Sequence, residues 1–88
     1  MITKIVHCKK EKYDVYIGRP SLFGNPFSIG KDGNRKEVIE KFRVYFYDRI
    51  WQDLDFTKKV KQLKGKILGC WCKPEKCHGD VIAAYLDK

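Results

Sequence analysis

The stretch Lys66-Ile67-Leu68-Gly69-Cys70-Trp71-Cys72-Lys73-Pro74-Glu75-Lys76-Cys77-His78-Gly79-Asp80-Val81-Ile82 decides the fold. Residues 66–71 read as a short buried strand, Pro74 helps turn the chain, and Val81, Ile82, Tyr85 and Leu86 mark one face of a helix from about His78 to Asp87. Working outward, residues 2–8 and 13–18 are β-branched and aromatic with partial two-residue alternation, so each predicts a strand. Lys9-Lys10-Glu11-Lys12 between them suits an exposed turn, and the pair is expected to form a hairpin.

Between residues 18 and 34 stand four Gly and two Pro, which predicts an irregular loop. Asn34 then has the character of a helix N-cap, with Glu37 completing a capping box. The helix is expected to run to about Arg49, with Val38, Ile39, Phe42, Tyr45, Phe46 and Ile50 as its buried stripe. A second helix is expected over residues 55–64, turning Phe56, Val60 and Leu63 inward and ending at Gly65. The order β-β-α-α-β-α predicts an α/β fold: one small domain over residues 1–88, about three strands flanked by two to three helices, in two or three layers.

Eighty-eight residues bury only about 60–65% of the surface of the unfolded chain, but 43% hydrophobic content suffices for one core. Nineteen Lys plus Arg against eleven Asp plus Glu give a net charge of +8, which favours an anionic small molecule or nucleic acid as partner. Fifteen of the nineteen are dispersed lysines, so a basic solvated face explains part of the charge. The first residues lack the apolar core of a signal peptide and nothing approaches the roughly 20 apolar residues of a membrane span; a cytoplasmic protein without membrane association is expected. In a reducing compartment the four cysteines are not read as a disulfide framework. Two spare β edges are compatible with a dimer.

Three cysteines and one histidine crowd the 70–80 segment. Cys70 and Cys72 would share one face of a strand, with Cys77 and His78 at the mouth of the next helix, so Cys70, Cys72, Cys77 and His78 make a Cys3His zinc site conceivable. The spacing is not the common one, because one residue separates the first pair and the second pair is adjacent. A second reading places Cys77, His78, Gly79 and Asp80 around an anion at the helix N-terminus, whose unpaired amides and dipole favour negative charge. That field would also acidify Cys77 as a nucleophile beside His78. The plainest reading leaves Cys70 as core filler and Asp80 as a helix cap.

The loop Gly18-Arg19-Pro20-Ser21-Leu22-Phe23-Gly24-Asn25-Pro26-Phe27 is the second candidate. Gly18 and Gly24 widen the allowed backbone, Pro20 and Pro26 stiffen it, and Arg19 offers a planar fork for phosphate or carboxylate. Asn25 both donates and accepts, as reading a base edge or ribose hydroxyl requires, and Phe23 and Phe27 have faces that can stack a base or plug the loop into the core. Neither glycine spacing is a Walker or dinucleotide fingerprint.

Together Tyr16-Ile17-Gly18-Arg19-Pro20-Ser21…Gly24-Asn25-Pro26-Phe27, Gly33…Arg35…Glu37-Val38-Ile39 and Leu68-Gly69-Cys70-Trp71-Cys72…Pro74…Cys77-His78-Gly79-Asp80-Val81-Ile82 resemble the domain of unknown function 4326, a family of small bacterial and phage proteins. The likeness spans nearly the whole chain and carries no activity with it. The ending Cys72…Pro74…Cys77-His78 also resembles the close of a larger α/β family, domain of unknown function 488, which has Arg where this chain has Gly79.

These readings lead to one expectation and two alternatives. The first is a basic domain that binds a nucleotide, nucleoside or related phosphorylated ligand between the Gly18–Phe27 loop and the Cys72–Asp80 turn. The alternatives are a zinc-stapled nucleic-acid-binding module and a nucleotide- or base-processing enzyme using Cys77 or Asp80.

Overall fold

The computed structural model describes residues 2–88. In chain order its elements are β1 (Lys4–His7), β2 (Val15–Tyr16), α1 (Arg35–Gln52), α2 (Leu54–Lys61), β3 (Ile67–Cys70) and α3 (His78–Leu86), the β-β-α-α-β-α order expected from the sequence. The strands are shorter than their apolar patterns because β3, the common partner, offers only four residues to pair with.

The expected hairpin does not form. β1 and β2 both pair with β3, both parallel, in the sheet order β1-β3-β2. Residues 8–14 must therefore pass across β3 instead of doubling back, a shorter crossover than the dozen or so residues usual between parallel strands. Gly69 makes the passage possible: a Cβ there would lie 2.7 Å from Cγ of Tyr13, whose ring lies over the strand. Asp14 fixes the return, its amide donating to the Ile67 carbonyl at 2.7 Å and its carboxylate accepting from the Ile67 amide at 2.8 Å.

Side chains alternate along a strand, so Leu68 and Cys70 face away from Gly69. They join one buried cluster with Phe42 and Phe46 of α1, Phe56 and Val60 of α2, and Val81 and Ile82 of α3. The helices thus cover one face of the sheet and the crossover covers Gly69 on the other, giving two layers. The expected stripe on α1 is present, with Val38, Phe42 and Phe46 buried and Ile39, Tyr45 and Ile50 partly so.

The ends are held by local hydrogen bonds. The Glu37 amide donates to Asn34 Oδ1 and the Asn34 amide to Glu37 Oε1, both at 2.9 Å, completing the capping box. Asp53 accepts from the Phe56 amide to cap α2, and Gly65 takes a left-handed φ of 77° where the chain leaves that helical segment. Buried Thr3 donates through its amide and hydroxyl to the Asp87 carboxylate at 2.9 Å and accepts from the Gly65 amide, tying the two ends of the domain together. Among the described residues no helix is long and apolar enough to cross a membrane.

Gly69→Ala forces a methyl against the root of the Tyr13 side chain and should lower the unfolding free energy by about 1–3 kcal/mol. Combining it with Tyr13→Ala should recover part of that loss, measured by denaturant unfolding in a double-mutant cycle.

Candidate functional site

Parallel pairing brings the two motif segments together. Tyr16 stands opposite Gly69, so the loop after β2 and the turn after β3 leave the sheet side by side at its carboxyl end, where open parallel sheets bind ligands. The first turn of α1 closes the third side. Between them lies a cleft of about 300 Å³, at the lower end of the range of roughly 300–1,000 Å³ for small-molecule sites.

Three cations line this cleft, Arg19 from the loop, Arg35 from α1 and Lys76 from the turn, and no carboxylate does among the described residues. Both arginines are oriented by neutral acceptors. Arg19 Nη1 donates to Ser28 Oγ at 2.9 Å, and Arg35 Nη1 donates to the Lys76 carbonyl at 3.2 Å. Neither charge is cancelled, and each guanidinium keeps further N–H donors for a ligand.

Trp71 also lines the cleft and is 54% exposed although it directly follows a buried strand. Its Nε1–H donates to Tyr16 Oη at 2.7 Å, and that hydroxyl donates to the Arg19 carbonyl at 2.9 Å. The indole is therefore locked in orientation and tied to the backbone that carries Arg19. Phe27, Val38 and Ile39 add apolar surface, with Phe27 packed edge-on against Tyr45. Asn25 holds the loop to α1: its Nδ2 donates to the Val38 carbonyl at 3.2 Å and its Oδ1 accepts from the Phe27 amide at 2.9 Å.

His78 forms part of the cleft but is itself buried. Its Nε2 lies 2.8 Å from the Ile17 carbonyl, which can only accept, so the proton sits on Nε2 and Nδ1 faces Cys77 Sγ at 3.6 Å. Burial pulls its pKa below the ordinary histidine value despite that hydrogen bond, keeping the ring neutral. Behind it, Cys77 Sγ donates to Cys70 Sγ at 2.8 Å, and both thiols are buried. This hydrogen bond holds the Cys70 pKa down to about 6, with help from the Cys72 and Lys73 amides and against its burial. Cys77 moves the other way, because its proton is shared with Cys70 and because it is buried. The acidified thiol is thus Cys70 and not the Cys77 expected from helix position alone; Cys77 caps α3, accepting from the Gly79 amide at 3.3 Å.

Of the residues expected from sequence, Gly18, Arg19, Asn25, Phe27, Cys72 and His78 meet at the cleft. Pro20, Ser21, Gly24, Cys70, Cys77, Gly79 and Asp80 are not among its lining residues. Gly24 packs against the Arg19 backbone, and a Cβ on Gly79 would stand 2.7 Å from Ile17 Cδ1, so both glycines serve close packing. Asp80 accepts from the Cys77 amide and pairs with Lys73 at 2.9 Å, which makes it a cap. Phe23 packs on Phe56 in the core. Of the four zinc candidates, Cys70 and Cys77 are in contact, while Cys72 lies on the cleft wall and His78 turns Nε2 to the Ile17 carbonyl. Among the described residues no three His, Cys, Asp or Glu side chains are grouped to hold a metal ion.

Sequence reasoning missed Arg35, Trp71, Lys76 and Ser28. Arg35 carried a signal: a cation in the first turn of a helix opposes the macrodipole, and such a local cost marks positions kept for another purpose.

The chain belongs to the family Domain of unknown function (DUF4326), whose model matches residues 4–88. It is 38% identical over 88 residues to the "Uncharacterized 12.4 kDa protein in nrdA-td intergenic region" of Enterobacteria phage T4, covering 99% of this chain and 80% of that protein. It is 35% identical over 69 residues to the "Uncharacterized protein R718" of Acanthamoeba polyphaga mimivirus, covering 67% of this chain and 49% of that protein. No solved structure matches the chain.

The thiol pair predicts a pH signature. Cys70 is lowered from 9.0 to about 6, so between those values the unfolded chain binds the extra proton and stability should rise with pH. That contribution is fully present above 9.0 and lost as pH falls through about 6. Above 9.0 raised Cys77 acts oppositely, since only the unfolded chain releases its proton. Denaturant midpoints of the wild type and Cys70→Ser should diverge progressively across pH 6 to 9; parallel profiles would mean that Cys70 is not ionised in the folded protein.

Proposed function

We propose that the chain binds a nucleotide, nucleoside or related phosphorylated ligand in the cleft between the Gly18–Phe27 loop and the Cys72–Asp80 turn. The observation that carries this reading is the make-up of the wall: Arg19, Arg35 and Lys76 without a facing carboxylate, beside an exposed indole fixed by its own hydrogen bond. A phosphate satisfies the guanidinium forks, and a base or sugar face covers the indole and the apolar side chains of Phe27 and Ile39. The N-terminal turns of α1 and α3, which contribute Arg35 and His78, add a positive field at the same place. Asn25 and Ser28 supply polar edges in addition to the hydrogen bonds they already make.

The side chains favour binding over chemistry. His78 is neutral with Nε2 engaged, Cys77 is buried and protonated, and Asp80 is committed to Lys73 and the α3 cap. The enzyme alternative would need a reacting group in the cleft; Ser28, Cys72 and Lys76 are the side chains of nucleophilic type that line it among the described residues, and Ser28 already accepts from Arg19.

Isothermal titration with the common nucleoside monophosphates, the nucleosides and inorganic phosphate tests the reading. At least one monophosphate should bind with saturation and bind more tightly than its nucleoside. Arg35→Ala, or Arg19→Ala, should weaken it roughly 10- to 100-fold, the scale of a charge-assisted hydrogen bond. In a Trp51→Phe background the remaining indole, Trp71, should change its fluorescence on binding. Equal, weak and unsaturable binding of every probe, unchanged by Arg35→Ala, would reject the cleft as a ligand site.

A further inference from the structure

Trp71 belongs to two surfaces. One is the cleft; on the other, Lys9 Nζ stands 5.5 Å from the indole centroid and His7 packs edge-on at 5.8 Å. Lys9 opens the crossover turn, which also exposes Lys10, Glu11 and Lys12, three cations to one carboxylate, and forms a shallow hollow of its own over residues 8–13. None of these three lysines is ion-paired among the described residues. At the end of the turn Tyr13 is 42% exposed, its ring 6.4 Å from that of Tyr16, whose hydroxyl holds the Trp71 indole. A band of unpaired cations and exposed aromatic rings therefore continues from the cleft across Trp71 onto the turn.

Resting on the reading of the cleft as a nucleotide site, we infer that its ligand is one nucleotide of a single-stranded nucleic acid, with the neighbouring phosphates carried over Trp71 to Lys9, Lys10 and Lys12. Cations along a backbone path interleaved with ring faces are the chemistry that holds single strands, since every base offers a π face and every step a phosphate. A paired base in a duplex has both faces covered by its neighbours, so it has none to offer Trp71; a free mononucleotide leaves the lysines of the turn without a partner. The fixed indole is a platform at the junction of the two surfaces.

The test is binding of thymidylate and uridylate oligomers of one, two, four and eight nucleotides at two salt concentrations, with far-UV circular dichroism as the folding control. Affinity should rise at least roughly tenfold from the monomer to the four-nucleotide strand, as one added base stack and its phosphates would give. The salt dependence should steepen by about two units of log K per log salt, about 0.7 for each phosphate held by the three lysines. Replacing Lys10 and Lys12 together by Ala should remove most of this gain and leave monomer affinity within about twofold, because both are exposed and neither lines the cleft. Equal affinity for all lengths, or a length gain that survives the double replacement in full, would overturn the extension while leaving the cleft reading intact. Strand binding that is lost on the double replacement but indifferent to Arg35→Ala and Trp71→Ala would overturn both. The thymidylate and uridylate series separate DNA from RNA.

Discussion

Everything at the candidate site depends on one constraint, the parallel pairing of β2 and β3 in the register that sets Tyr16 opposite Gly69. Strands that run the same way end at the same edge, so segments far apart in the chain emerge as neighbours. Had β1 and β2 closed a hairpin, β2 would have run against β1 and the Gly18 loop would have left from the other end of the sheet. The price of the parallel arrangement is a short crossover, and the missing side chain at Gly69 is what admits it. The same crossover places Lys9 beside Trp71, so the device that closes the sheet also supplies the surface next to the cleft.

Within the cleft, a hydrogen-bond relay couples the parts. Trp71 donates to Tyr16, Tyr16 donates to the Arg19 carbonyl, and Arg19 donates to Ser28. Each member comes from a different part of the chain: β3's exit, β2, the loop and its far limb. An exposed tryptophan would ordinarily be free to reorient; this one is held, which reduces the entropy lost when a ring face is covered. The thiol pair stands behind this wall and not in it. Cys70 and Cys77 join the end of β3 to the cap of α3, so their shared proton bears on the turn that carries Trp71, Cys72 and Lys76.

How much of this was legible in the sequence follows from the range of each interaction. The capping box of α1 and its apolar stripe depend on residues three or four apart, and both were readable. The order of elements was readable for the same reason. Strand pairing was not, because the choice between a hairpin and two parallel partners rests on β3, about fifty residues further on, and on how closely Tyr13 can approach Gly69. At the site, Gly18, Arg19, Asn25, Phe27 and His78 were marked by unusual residues in unusual company, and the fold gathers them at the cleft. Asp80 and Gly79 shared that company for local reasons of capping and packing. Trp71 was hidden because a tryptophan at the end of a buried strand reads as core, and Arg35 showed only as a cation set against the dipole of the first helical turn, a sign it shares with Lys36.

The central claim is that the two motif loops and the first turn of α1 form one binding surface. The most direct measurement is amide and indole NMR shift mapping during titration with the tightest-binding nucleoside monophosphate. The account predicts saturating shifts for the Trp71 indole N–H, the arginine side chains of Arg19 and Arg35 and the amides around Gly18 and His78, with residues on the exposed face of α2 unmoved. Shifts scattered over the surface lysines, with the Trp71 indole unchanged at saturation, would contradict it.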